Sequence, residues 1–499
     1  MQFAQTLTDR FDNPRFTASF LQHLPEFLGR QRWFTSKGKR TGKCVIRDTF
    51  RVTEDSALVI VDVHFADGSQ EIYQMPLAQL EQTEDQARYL RDREKQILLR
   101  IPGGPYVVDA VPLPRFRAAI YAMIKDGVRT RDGLVCEAGK LLRAAPQTAK
   151  SVVPAIDTSN TAIVYNDRYF FKLFRKLDPG INPDLELVRY LSDKTSFQHC
   201  PPYGGALGVG EMSDPHYLNL GMLSGKVDNQ GDAWEYFQAL TERYFTGGYI
   251  IDEETLSRAR LLGQRTAEMH LALGAGAGAM LKPEPLEASY RAEISNAAVK
   301  LLQRQVGELG AKVSELADNV RPLAEQVLRL HDQLRDRLDV LRDHPLAVDL
   351  IRIHADYHLG QVLVTRDDFY IIDFEGEPLL SIPERRRKRP ALKDVAGMVR
   401  SFHYAARGQL LLNPAYADAG TIEEHTPHAE AWFKTVSRAF LDSYYAHCGN
   451  ASFLPASSED RQLLLDLFVL EKAIYEVAYE LNSRPTWLPI PLNGVLAVV

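Results

Sequence analysis

Residues 351–378 read IRIHADYHLGQVLVTRDDFYIIDFEGEP, and this stretch constrains the chain more than any other. An apolar strand end runs into a polar loop bearing His354, Asp356, His358 and Gln361. A turn follows, and then the apolar run Phe369-Tyr370-Ile371-Ile372 delivers Asp373. Asp356, Gln361 and Asp373 therefore fall within the 18 residues 356–373, in one hairpin-like unit.

Phosphoryl transfer from a nucleotide needs a carboxylate to orient the attacking hydroxyl and oxygen ligands to hold magnesium against the phosphates. Asp356 lies two residues after His354, and Gln361 lies five after Asp356. That is the spacing of a kinase H-x-D loop and its metal-binding amide. Asp373, at the end of a strand, is the expected second ligand; one carboxylate and one amide oxygen suffice for an ion that keeps several waters. A lone H-x-D is common in loops, and Ile-Ile-Asp-Phe can simply set a turn aspartate. The four residues together separate the two readings.

HADYHLGQVL followed by IIDFEGEP closely resembles the bacterial maltokinases, including those fused to or encoded beside trehalose synthase, within the aminoglycoside-phosphotransferase-like branch of the kinase fold. The chain departs from many members at Ala355, where they carry Gly. Glu375 stands where protein kinases have Gly after their Asp-Phe pair, which argues against a protein substrate. The resemblance implies an α+β, bilobal protein-kinase-like fold with an N-terminal α+β cap and a mainly helical C-terminal lobe. It also implies ATP and Mg2+, and maltose as the acceptor.

Length predicts two or three units in a chain of 499 residues. A net charge of −6 gives no footprint for nucleic acid or an anionic membrane. Cys44, Cys136, Cys200 and Cys448 form no C-x-x-C pair, and no window approaches a membrane span, so a cytoplasmic location is expected. The expected divisions are 1–95 for the cap, 96–227 for the rest of an N-terminal lobe, and 228–499 for the helical lobe.

In the cap, Phe16, Phe20, Leu24 and Leu28 are helix-spaced, with Pro25 disturbing the pattern late. Trp33 and Phe34 in RQRWF read as core anchors, a motif shared in order with maltokinase caps. Strands are expected at 44–52, 57–65 and 70–75, the last two joined by Ala66-Asp67-Gly68-Ser69, and a charged helix from about Ala87 to Ile101.

The polar turn 157–161 precedes the strand YFFKLFRKL. With no G-x-G-x-x-G present, Ser159, Asn160 and Thr161 are the candidate phosphate donors, against a plain hairpin turn. Lys172 on that strand alternates inward with Phe170 and Phe174 and needs a carboxylate. Asp184 and Glu186 both open the next helix, and Glu186 is the preferred partner; Lys176 is the rival lysine. Residues 223–227 mark a hinge position.

Helices packed on one another are expected over 287–341. The basic run Arg385 to Arg389 is either a solvated loop or an electrostatic guide, and Asp394 either caps its helix or braces the catalytic loop. The terminal EKAIYEVAYELNSRPTWLPIPL offers aromatic and acidic groups for a sugar, and Glu476, Tyr479 and Trp487 are the candidates, with His354, His358, Glu375 and Arg400 completing the acceptor set. Two alternatives stay open: a kinase for another acceptor, such as glucosamine or an aminoglycoside, and a non-catalytic module supporting trehalose synthase.

Overall fold

The computed structural model describes residues 6–81, 83, 90–91, 93–155, 160–416 and 419–498. They fall into two compact units, one spanning 1–193, 201–227 and 381–383, the other 194–200, 228–380 and 384–499.

The first unit is built on two antiparallel sheets of six strands each. Helix Pro14–Arg30 starts where the Asn13 side chain accepts the Arg15 amide at 2.9 Å. Pro25 does not end it. The proline forfeits one backbone bond, but Leu24, Phe27 and Leu28 are fully buried against the sheet and hold the last turn. Strands β1 (Thr41–Arg51), β2 (Ser56–Phe65) and β3 (Gln70–Leu80) form the meander that the Asp67-Gly68 turn predicts, and Gly68 takes the left-handed conformation that turn requires.

The expected helix over 87–101 falls partly outside the described residues. Its second half is not helical: a single turn at Glu94–Gln96 leads into a strand, β4 (Ile97–Arg100), paired with β5 (Tyr106–Asp109). Ile97, Leu98 and Leu99 are all buried, so completing the sheet outweighs the helical character of the charged residues before them. The cap sheet, in order β1-β2-β3-β5-β4, therefore runs to Asp109, beyond the expected boundary at 95.

Helix Pro114–Asp126 leads to the second sheet, β6-β11-β12-β9-β8-β7, made of β6 (Leu134–Ala138), β7 (Ser151–Val152), β8 (Thr161–Tyr165), β9 (Tyr169–Leu173), β11 (Tyr203–Val209) and β12 (Leu218–Gly225). A tight turn with positive φ at Asn166 and Asp167 joins β8 to β9. Just past β9 the chain forms β10 (Lys176–Leu177), which pairs with β3 of the cap sheet. Gln74, fully buried, reinforces this joint: its side-chain amide donates to the carbonyls of Phe174 and Leu220 at 2.7 and 2.8 Å.

The second unit is mainly helical. It contains helices Ala233–Thr246, Glu253–Gly274, Leu392–Leu412, Ala419–Cys448 and Ser458–Ser483, and the first two pack on a short hairpin, Val362–Val364 with Phe369–Ile371. Phe237 meets Phe369, Phe402 and Trp432 at the centre, and burying each ring contributes roughly 1.5–3 kcal/mol. Helices Ala288–Lys312, Arg321–Arg329 and His331–Asp339 fill the expected helical stretch and pack against Leu470, Ile474 and Val477. Among the described residues no helix is long and apolar enough to cross a membrane.

Candidate active site

The loop after Ile353 is held from behind by one carboxylate. Asp394 is buried and accepts the amides of His354 at 2.7 Å and Ala355 at 2.9 Å. His270 supports it, with Nε2 3.2 Å from the same carboxylate. Asp394 thus braces the loop, the second of its two expected roles. Ala355 turns the chain sharply, with φ at +68°, a conformation in which Gly meets no steric cost.

His354 is 1% exposed. Its Nε2 donates to the carbonyl of Ile372 at 2.8 Å, and Nδ1 faces the amide of Asp356 at 3.4 Å. Both nitrogens are therefore occupied in fixing the loop to the end of the hairpin, and the expected contact with substrate is corrected to a positioning role. His358 does similar work one turn on, its Nδ1 accepting the Gly360 amide at 3.1 Å. Burial away from water, its largest influence, lowers its pKa.

Gln361 and Asp373 are brought together by the hairpin: Ile372 donates its amide to the Gln361 carbonyl at 3.0 Å, and Asp373 follows with φ at +66°. Holding a non-glycine residue there costs about 1–3 kcal/mol, a strain characteristic of functional turns. The carboxylates of Asp373 and Glu375 present oxygens within 4.8 Å of one another. An amide and carboxylates form the all-oxygen donor set that magnesium prefers.

Asp356 opens into a cavity lined by Ala355, Glu377, Lys393, Glu471, Lys472 and Tyr475. Lys472 Nζ lies 3.8 Å from Asp356 Oδ1 and 5.1 Å from the centre of the Tyr475 ring. The Tyr475 phenol is pushed up to about 12 by burial, then by the charge of Glu377 and its hydrogen bond to that carboxylate. Lys393 pairs with Glu471 at 2.6 Å. Sequence reasoning passed over Lys472, Glu377, Lys393 and Glu471; the signal was the Lys472 to Tyr475 spacing of i, i+3, which puts both on one helix face.

The acceptor residues expected further along are placed otherwise. Glu476 and Arg400 form a buried pair in which Arg400 Nε and Nη2 donate to Glu476 Oε2 at 2.9 and 2.6 Å. The guanidinium continues to His403 Nδ1 at 2.7 Å, and His403 Nε2 reaches Glu430 at 3.3 Å. Gly494 makes room for it, since a Cβ there would meet Arg400 Nη1 at 2.2 Å. These two residues are corrected from sugar contacts to core. Tyr479 is exposed with Arg484 over its ring, and Trp487 stacks on Tyr404 at 6.1 Å; neither lines the cavity at Asp356.

The basic run is largely neutralised: Arg387 pairs with Glu293, Lys388 with Glu284, and Arg385 is buried.

In the first unit, Lys172 Nζ lies 2.7 Å from Asp184 Oδ2. Asp184, which opens the same helix as Glu186, is a buried partner of Lys172, its side chain 2% exposed and its amide capped by Asn182 at 2.9 Å. On β9 the fully buried face is Tyr169, Phe171 and Leu173, so Lys172 and Phe170 occupy the half-covered face rather than an apolar one. Lys176 points instead to Glu71 of the cap at 2.8 Å. Of the phosphate-loop candidates, Ser159 lies outside the described residues, Asn160 ends the bend, and Thr161 begins β8 with its hydroxyl accepting from Arg175 Nε at 2.8 Å.

Residues 27–111 match the maltokinase N-terminal cap domain. Over 376 residues the chain is 24% identical to a glucosamine kinase from Streptacidiphilus jiangxiensis, covering 74% of this chain and 78% of the relative. A glucosamine kinase from Mycolicibacterium smegmatis is 27% identical over 142 residues, covering 28% of this chain and 32% of the relative. A solved glucosamine kinase bound to glucosamine, ADP and inorganic phosphate superimposes with a TM-score of 0.67 at 19% identity, covering 95% of this chain and 98% of that one. A second crystal form of glucosamine kinase gives 0.68 at 20% identity, with coverage of 95% and 98%. The chain is thus maltokinase-like in its cap and has the fold of these sugar kinases.

Proposed function

We propose that this protein transfers the γ-phosphoryl group of ATP to the anomeric hydroxyl of maltose, giving maltose 1-phosphate and ADP. The observation that carries the reading is the cavity in which Asp356 meets Lys472, Tyr475 and Glu377. Asp356 orients the hydroxyl and takes its proton late in the transfer, with Lys472 Nζ 3.8 Å from its carboxylate. Tyr475 offers the flat face that a sugar ring packs against.

Lys172, fixed by Asp184, carries the ammonium for the nucleotide phosphates. Gln361 and Asp373 are the residues that would hold magnesium, which neutralises charge on the transferring phosphoryl group when bound. Maltose as acceptor is supported by the cap match and by the HADYHLGQVL and IIDFEGEP motifs. A trehalose synthase partner, which rests on the sequence resemblance, and a cytoplasmic location, which rests on the scattered cysteines and the lack of a membrane-spanning window, belong to the same proposal.

Glucosamine is the second reading, favoured by the relatives' names and by Glu377 and Glu471 in the cavity. The Lys472 ammonium weighs against an amino sugar, because like charges in one partly buried pocket repel. The test is the rate of phosphorylation of maltose, glucose and glucosamine measured side by side. Maltose turnover at least tenfold above glucosamine supports the proposal; the reverse order assigns the amino sugar.

A further inference from the structure

Arg175 joins three parts of the first unit. Its guanidinium lies 4.7 Å over the ring of Trp33, in the cap's RQRWF motif. Its Nη2 donates to Asp109 Oδ2 at 2.7 Å, with both side chains buried, and its Nε donates to the Thr161 hydroxyl at 2.8 Å. Thr161 is the first residue of β8, and β8 pairs with β9 so that Ala162 faces Lys172. The backbone is tied at the same point, because the Arg175 carbonyl accepts the Gln74 amide of the cap at 2.8 Å.

An arginine fork suits such a joint, being planar, permanently charged, and able to stack on a ring while its edges direct hydrogen bonds at fixed angles. Lysine could replace its charge against Asp109 but could not stack and hold Thr161 together. Arg175 is also 3% exposed.

We infer that Arg175 is a positioning residue through which the cap domain sets the affinity for the nucleotide, by fixing the start of β8, the strand paired with that of Lys172. This rests on the kinase reading above. Neither Trp33 nor Asp109 has to touch the nucleotide for this to operate. The relay gives the cap, which among its described residues carries no part of the assigned chemistry, a defined effect on the first step of the reaction.

The test is calorimetric binding of Mg-ADP, without sugar, to full-length Trp33→Leu, Thr161→Val and the double variant, together with amide hydrogen exchange over 160–175 in the ligand-free protein. Each single variant is expected to weaken ADP binding five- to thirtyfold and to speed exchange at the start of β8. The double variant should be no weaker than the poorer single one, since both break the same link. Trp33→Phe, which keeps a ring under the guanidinium, should recover most of the loss, and the maltose KM at saturating ATP should move less than twofold.

Multiplying effects in the double variant, or ADP affinity within twofold of wild type in both singles, overturns the relay. Wild-type protein that binds no ADP would overturn the kinase reading instead, and the exchange data would still report whether Trp33 and Thr161 are coupled. Arg175→Lys adds a direct probe: it should match the single variants, and if it does not fold, the two ends of the relay still read it.

Discussion

Asp394 accepts the amide of His354 at 2.7 Å across 40 residues of sequence, and the neighbouring amide of Ala355 with its other oxygen. The loop that carries Asp356 is thereby fixed from behind by a helix, not by its own hydrogen bonds alone. Asp394→Asn puts an NH2 donor against one of these two amides. Each lost charge-assisted bond is worth about 1.5–3 kcal/mol, so the variant should lose about 2–3 kcal/mol in denaturant unfolding and at least tenfold in kcat. An unchanged kcat would remove Asp394 from the account of the loop.

Glu476 separates a core role from a sugar role. Glu476→Ala leaves the Arg400 guanidinium buried without its carboxylate, at a cost of about 3–5 kcal/mol. A large drop in unfolding free energy, with a sugar KM changed less than threefold in the folded fraction, is the expected result.

Lys472 belongs to the cavity instead. Lys472→Met keeps the length of the side chain and removes the ammonium that faces Asp356 at 3.8 Å. The sugar KM should rise roughly three- to tenfold, corresponding to about 1 kcal/mol, with ADP affinity unchanged by calorimetry.

His403 makes stability depend on pH. Burial, reinforced by the charge of Arg400, lowers its pKa from 6.5 to about 4, so the folded protein holds the ring neutral where the unfolded chain begins to protonate it. The contribution is complete above pH 6.5 and is lost as pH falls toward 4, amounting to ~3 kcal/mol. Urea unfolding at pH 7 and pH 5 should show the decline, and His403→Gln should flatten it.

The hairpin of the candidate site was legible because its information is local. His354, Asp356, Gln361 and Asp373 are spaced by a loop and a turn, and that spacing survives in the fold. Asp184 and Glu186 open the same helix, and the sequence alone does not show that Asp184 Oδ2 comes to 2.7 Å from Lys172 Nζ, which the tertiary setting decides. The Arg400 to Glu476 pair spans 76 residues, and nothing in either segment marks one as the other's counter-ion.

β4 shows a different limit. EKQILLR has residues that suit a helix, and the open edge of β5 makes Ile97–Arg100 a strand. Lys472 was within reach, three residues before Tyr475 on the same helix, but aromatic and acidic groups are the more obvious sugar contacts and drew the assignment away from a lysine.

The most direct measurement is phosphorus NMR of the purified protein with magnesium, ATP and maltose, beside glucosamine and beside Asp356→Asn. A sugar 1-phosphate resonance from maltose is predicted, with a fall of roughly 10²–10⁴-fold in its rate of formation in the variant, which should still bind ADP. A variant that forms the product at the wild-type rate, or a wild-type protein that phosphorylates neither sugar, would contradict the assignment of Asp356 and of the reaction.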